Sequence, residues 1–333
     1  MNILGIETSC DETAAAVVQD GRKTLSSEIY SQIDIHQAYG GVVPEIASRN
    51  HTKKLPIIVK TALENASMTM ADIDAVAVTA GPGLVGALLT GVAFAKGFAY
   101  ANDKPLFQVN HIEGHISSNF LSHADLTPPM ICLIVSGGHS HIVKVTDYGQ
   151  YTLLGMTQDD AAGEAFDKVA RVLGLAYPGG PNLERLAKSG DANAYAFPVA
   201  YRGETHLNFS FSGLKTAVIN KLHQMDQKGE DYNKADVAAS FQKNVVTVLA
   251  DNTFEAAKRE KMDVIALAGG VSANGALRAA FEKRAKENGF RLYMPKMEYC
   301  TDNAAMIASA AYFSQDVADL RLNANPSLKL DFV

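Results

Sequence analysis

The stretch "NHIEGHISSNF" (110–120) places His111 and His115 four residues apart. On a helix that spacing brings both imidazoles to one face, about one turn apart. Two imidazoles held so can grip a divalent metal. They can equally be two polar residues on an ordinary helix. The zinc-peptidase helix reads H-E-x-x-H, with the Glu beside the first His as general base. Here Glu113 stands two places on, and a helix carries it about 200° around, away from the paired imidazoles. The inverted motif H-x-x-E-H fails too, because Gly114 occupies the place of its Glu. The histidines can be ligands, but the peptidase base is missing.

Other residues could join such chemistry. In "YCTDNAAMIASAAYF" (299–313) Asp302 stands immediately before an Ala-rich helical run. An Asp there is either a metal ligand or an N-cap that satisfies a free backbone N–H. Asp11 and Glu12 are adjacent acids in the first bend. They repel each other, so at least one should face an open cleft, where it can serve as a proton acceptor; alone, each could be a solvated turn acid. Cys10 has no His paired with it in sequence and reads as a small buried Cys. His139 and His141 alternate along a strand and read as strand-face residues.

The composition is that of an ordinary globular protein. The 333 residues are 47% hydrophobic and 20% charged, enough for two domains. Apolar runs are short and broken by Gly, so no membrane span is expected. The first strand-like run has no basic segment or cleavage site before it, so no signal peptide is expected. Three cysteines, at 10, 132 and 300, form no C-x-x-C and fit a reducing cytoplasm. The net charge of −6 excludes nucleic-acid binding by overall charge; such a partner would need a local basic patch or another subunit.

One pattern occurs twice. "ILGIETSCDETAAAVV" (3–18) and "ICLIVSGGHSHIVKV" (131–145) each read as a hairpin with a small, polar bend. Each is followed by an apolar strand ending in glycines and then a helix-like run: "IDAVAVTAGPGLVG" (73–86) and "DVIALAGGVSANG" (263–275). A strand, a Gly-rich turn and a helix N-terminus make an anion or nucleotide site, since free N–H groups converge there. The duplication predicts an α/β protein of two lobes closing over one ligand; two ordinary βα turns are the plainer alternative. We expect lobes at 1–112 and 113–333, with an insertion at about 148–235. Within it, 161–175 and the run after "YPGGP" read as helices, "LNFSFSGLKTAVINKL" (207–222) as strand then helix, and 223–234 as a polar loop.

Together "GIETSCDET", "NHIEGH", "VSGGHSHIV", "GEAFDKVARVLGL", "YPGGP", "FSFSGLKTAV", "AGGVSANG" and "CTDNAAMIA" resemble the tRNA adenosine threonylcarbamoyltransferase family of the bacterial TsaD type, once labelled O-sialoglycoprotein endopeptidase. The match spans nearly the full chain. The resemblance implies the two-lobed sugar-kinase/Hsp70/actin (ASKHA) fold, with a duplicated βββαβα core. It implies transfer of a threonylcarbamoyl group from threonylcarbamoyl-AMP to the exocyclic amine of the adenosine 3′ of a tRNA anticodon. It implies one divalent metal, Fe(II) favoured and Zn(II) the alternative, on His111, His115 and Asp302. Donor contacts would come from Ile134, Val135, Ser136, Gly137, Gly138, Asp167, Gly180, Glu184 and Asn274. Asp167 would otherwise be a solvated helix carboxylate, and Asn274 an αL or cap residue. Asp11 and Glu12 become the catalytic candidates, Asp11 taking a proton from the attacking amine or ordering a water that does. The implied partners are tRNA, a smaller paralogue of the same fold (TsaB type) and a small ATPase (TsaE type), with no membrane. An ASKHA small-molecule kinase and an Hsp70- or actin-like binding module are the rival readings; the metal triad has no purpose in the first.

Overall fold

A computed structural model describes residues 1–201 and 205–330. The chain forms two compact units. Unit 1 comprises Met1–Pro128, Asp147–Tyr151 and Pro295–Val333; unit 2 comprises Pro129–Thr146 and Thr152–Met294.

Unit 1 begins with β1 (Asn2–Glu7), β2 (Glu12–Gln19) and β3 (Lys23–Ser31), followed by the short helix α1 (Ile33–Gln37) and the long α2 (Pro44–Asn65). Then come β4 (Ala75–Gly81), α3 (Val85–Ala101), β5 (Leu106–Asn110) and α4 (His111–Ser122). The first hairpin sets the register: Ile6 lies opposite Ala15, and Glu7 opposite Ala14. β4 and β5 add in parallel beside β1. Every residue of β4 is buried, as expected of a central strand covered on both faces.

The second meander is β6 (Met130–Val135), β7 (Ser140–Asp147) and β8 (Gln150–Met156), which lie in unit 2 except for the turn Asp147–Tyr151. Helices α5 (Ala162–Val172), α6 (Gly179–Ala187), α7 (Ser212–Lys228) and α8 (Lys234–Arg259) lead to β9 (Val264–Ala268), α9 (Gly275–Asn288) and β10 (Arg291–Tyr293). The chain re-enters unit 1 as α10 (Ala304–Ser314) and β11 (Val317–Ala318).

The two sheets share one plan. The first runs β11-β5-β4-β1-β2-β3 and the second β10-β9-β6-β7-β8. Each has three strands in a meander, extended by two parallel strands that return through helices. This is the duplicated ASKHA core, and β11 is an added edge.

Three expectations need correction. β8 is a strand of the core sheet, so the inserted helices begin only after it, with α5, and end with α7. Residues 223–228 are not loop: α7 runs on to Lys228, where Gly229 at φ 67° ends it. The chain does not divide at 112. Residues 113–128 and 295–330 belong to unit 1 because α10, built of small apolar residues, packs its buried face into the core of β1, β2 and β4.

Candidate functional site

The metal-type residues all belong to unit 1. α4 starts at His111, and Asn110 caps it by accepting the Ile112 N–H at 2.9 Å. The helix is buried almost throughout, and its His111 and His115 rings lie 4.7 Å apart on one face. Glu113 points elsewhere, accepting the Tyr151 hydroxyl at 2.9 Å.

The third group arrives from the other end of the chain. α10 begins at Ala304, and its cap is Asn303, which accepts the Met306 N–H at 2.9 Å. Asp302 is therefore not the N-cap, and its carboxylate turns to the histidines. Asp302 Oδ1 lies 3.4 Å from His111 Nε2 and 3.3 Å from His115 Nε2. Two glycines permit this approach. A Cβ on Gly114 would stand 2.7 Å from Ile307 of α10, and one on Gly5 would stand 2.3 Å from the Ala304 carbonyl. Gly114, which breaks the peptidase motif, is what lets α4 and α10 pack closely.

His111, His115 and Asp302 form a group able to hold a metal, with their donor atoms within 4.8 Å of one another. Donors sharing one ion at about 2.0–2.1 Å lie roughly 3.0–3.4 Å apart, which the Asp302 distances match. His115 is fully buried; its Nδ1 has no hydrogen-bond partner, and its Nε2 meets the Asp302 oxygen at 3.3 Å without a well-formed hydrogen bond. A buried nitrogen without a partner is costly, and a metal bond from Nε2 would satisfy one of the two.

The electrostatics also ask for a cation. Burial works against the charge on His111, but Asp302 and Glu7 outweigh it and hold its pKa well above the usual imidazole range. Burial works against the charge on Asp302 too; His111 and His115 nevertheless hold it far below the usual carboxylate range. Two carboxylates converge here, and a bound proton or metal must balance them.

The first bend joins this region. The Ser9 hydroxyl lies 3.2 Å from His111 Nδ1. His51, fully buried, braces the bend between the Thr13 hydroxyl at 2.8 Å and the Cys10 carbonyl at 2.9 Å. Asp11 is buried; Glu12 accepts the Ser31 hydroxyl at 3.0 Å while its other oxygen is buried without a hydrogen bond. Burial first, and Asp11 second, push the Glu12 carboxyl up to about 8. Cys10 is half-buried, not buried as expected, and burial with Asp11 raises its thiol well above the usual range, unlike an activated nucleophile.

The donor-type residues all belong to unit 2, linked around the C-terminal ends of the parallel pair β6 and β9, where Ile134 lies opposite Ala268. Ile134 and Val135 are buried strand residues, whereas Gly137 and Gly138 are exposed in the bend. The Ser136 carbonyl accepts the Gly163 N–H of α5 at 3.2 Å. Asp167 Oδ1 accepts the Gly180 N–H of α6 at 3.1 Å. Glu184 accepts the Gly275 N–H of α9 at 2.9 Å. Asn274 is the helix cap that the plainer reading allowed: it accepts the Leu277 N–H at 3.0 Å and donates to Gln242 at 2.9 Å. Its φ of −63° is not αL. The ends of parallel strands are where open α/β sheets bind ligands.

The family profile of tRNA N6-adenosine threonylcarbamoyltransferase, TsaD, matches residues 23–309. The chain belongs to the TsaD family. It is 58% identical to the tRNA N6-adenosine threonylcarbamoyltransferase of Clostridium novyi (strain NT), over 99% of this chain and 98% of that one. It is 57% identical to the protein of that description from Clostridium perfringens (strain ATCC 13124), over 98% of each. Among solved structures it is similar to full-length HypF in a phosphate- and nucleotide-bound form, at 15% identity and TM-score 0.63, over 94% of this chain and 46% of that one. It also resembles (R)-2-hydroxyglutaryl-CoA dehydratase component A of Acidaminococcus fermentans, at 16% identity and TM-score 0.53, over 94% and 98%. At such identity these two show the fold alone. Among the described residues, no helix is long and apolar enough to cross a membrane.

In this TsaD chain, the sequence did not point to Glu7 and Ser9, which lie against His111 Nδ1 at 3.1 and 3.2 Å, to Thr79, which donates to Glu7 at 2.6 Å, or to His51, which braces the first bend. The one available signal was Glu7, a lone acid that follows the apolar run "ILGI" (3–6).

Glu12 yields a prediction. Unfolded, its carboxyl ionises near 4.5; folded, it keeps its proton to about 8. Between those values the unfolded chain holds fewer protons, so this group's contribution to stability falls as pH rises. In metal-free protein, Glu12→Gln should remove a slope of up to ~1.4 kcal/mol per pH unit. Urea unfolding of both proteins at about pH 5 and pH 8 measures this. The variant should gain on the wild type as pH rises; a constant difference would defeat the assignment.

Proposed function

We propose that this chain transfers the threonylcarbamoyl group of threonylcarbamoyl-AMP to tRNA. The acceptor is the exocyclic amine of the adenosine 3′ of the anticodon, in tRNAs reading codons that start with A. The amine nitrogen attacks the carbamoyl carbonyl carbon, the bond from that carbon to the phosphate oxygen breaks, and AMP departs with the bonding electrons. The attacking amine loses one proton. Identity of 57–58% across almost the whole of two curated transferases carries this reading.

His111, His115 and Asp302 would hold one divalent ion. Two imidazoles and a carboxylate suit Fe(II), our preferred assignment, with Zn(II) the alternative. When bound, the ion supplies Lewis-acid polarisation of donor oxygens. Asp11 accepts the proton of the attacking amine, directly or through an ordered water. Glu12, still largely protonated near neutral pH, is suited to return a proton rather than take one. In unit 2 the Ser136 N–H is taken by the His139 carbonyl at 2.8 Å, so the backbone N–H groups of Gly137 and Gly138 face anionic oxygens; Gly180 lets the chain lie flat against adenine, and Glu184 accepts from the ribose hydroxyls. Asp167 and Asn274 contact the donor.

The test supplies purified protein, its partners, threonylcarbamoyl-AMP and unmodified tRNA. Threonylcarbamoyladenosine in the digested tRNA, with one AMP released per group transferred, is the expected result. AMP without modified nucleoside would reject the transfer, and phosphorylation of a small molecule instead would favour a kinase.

Nucleotide binding is tested separately. A ligand that binds only the folded state raises Tm by mass action, by about 2.7 kcal/mol of stability at a hundredfold excess over Kd. AMP should raise Tm, and Asp167→Ala, which frees the Gly180 N–H, should shrink that rise. No shift at millimolar AMP would count against the unit 2 assignment.

The working assembly would include a smaller paralogue and a small ATPase, in the cytoplasm. We place the paralogue on elements within residues 30–66. In α2 the buried face is Leu55, Val59 and Ala62, Ile58 and Leu63 are partly buried, and Ile57 is 58% exposed. Tyr39 nearby in sequence is 62% exposed. These two side chains are the apolar surface offered to the partner.

A further inference from the structure

Glu7 has no role in the reaction as described, yet it is a carboxylate with 0% exposure at the end of β1. A buried charge survives only when hydrogen-bonded and paired. One oxygen, Oε2, accepts the Thr79 hydroxyl at 2.6 Å and lies 3.1 Å from His111 Nδ1. The other, Oε1, accepts the Ser9 N–H. The carboxylate is thus fixed from two sides before it meets the imidazole. It touches Nδ1 while Nε2 of the same ring faces Asp302 at 3.4 Å.

We infer that Glu7 is a positioning residue that prepares His111 for the metal. Resting on the metal assignment above, the inference extends it to a residue outside the ligand group. A carboxylate at Nδ1 keeps the proton on that nitrogen, leaves the Nε2 lone pair free, and makes it a stronger donor. It also stops the ring from turning. Thr79 and Ser9 hold the carboxylate in turn, so strands β1 and β4 set the angle of a ligand carried by α4. His115 has no such support, since its Nδ1 makes no hydrogen bond. The two histidines of the pair are therefore not equivalent. His111 is the preorganised ligand, and His115 completes the site.

The test is Glu7→Gln, which keeps the shape but loses the charge and sets an amide donor against existing donors. Zn(II) and Co(II) affinities are measured by chelator competition on the full chain, with Tm of the metal-free protein alongside. Loss of such a partner typically costs about 10–100-fold in metal affinity, the drop expected here. A purely structural role would lower the metal-free Tm and leave affinity alone. In the Zn(II) form, the His111 Nδ1–H proton resonance, assigned by its loss in His111→Ala, should vanish or move upfield in Glu7→Gln. If Glu7→Gln fails to fold, Thr79→Val leaves the carboxylate in place without its hydroxyl donor and should weaken Zn(II) several-fold. Affinity within threefold of wild type in the variant that folds would overturn the inference, with the metal assignment intact if His111→Ala still loses Zn(II). Wild type that binds neither ion would overturn both.

Discussion

His111→Ala and Asp302→Ala should each emerge from purification without metal and with transfer activity reduced by roughly a hundredfold or more. Lewis-acid polarisation is worth several kcal/mol, and each ~1.4 kcal/mol is a factor of ten in rate. Either substitution removes one of three donors that lie within 4.8 Å of one another. The folds should survive, because neither His111 nor Asp302 belongs to the apolar clusters of either unit, including the one in which α10 meets the first sheet. Their stabilities should differ. His111→Ala leaves the carboxylates of Glu7 and Asp302 without the imidazole between them, whereas Asp302→Ala removes one of the two charges and leaves His111 with Glu7. Metal-free His111→Ala should therefore melt below metal-free Asp302→Ala. Elemental analysis and calorimetry read both effects. A full equivalent of metal in either variant would refute the triad.

Multiple-turnover modification of tRNA should require the partners. With threonylcarbamoyl-AMP supplied, the chain alone should give little beyond its own molar equivalent of product, and adding both partners should give sustained turnover. Protein binding to nucleic acid is dominated by phosphate neutralisation. This chain has a net charge of −6. Its local basic residues are partly used internally: Arg49 pairs with Glu45, and Arg284 with Asp251. A second surface must supply what is missing. Ile57→Asp should weaken the paralogue's binding without changing metal content, since Ile57 is exposed and outside the core. Equal rates with and without partners would end this proposal.

By itself the sequence determined the local elements and the family. Two hairpins, two glycine-ended strands and the helical His pair are read from short-range periodicity and turn residues, because burial of one face acts on neighbours a few positions apart. The 3.6-residue repeat alone turned Glu113 from the metal face, and the structure agrees. The eight motifs in order carried the TsaD resemblance that the full-length relatives bear out. Tertiary structure decided what lies far apart in the chain. Asp302 could have been a cap until Asn303 was seen to do that work. Glu7 meets both Thr79 and His111 only because β1, β4 and α4 converge. α10, some 190 residues after α4 in sequence, joins unit 1 because its small side chains fit between that helix and the first sheet. Local propensity is set by each residue's near neighbours, whereas a buried carboxylate's partner is set by which strands and helices can pack without a gap.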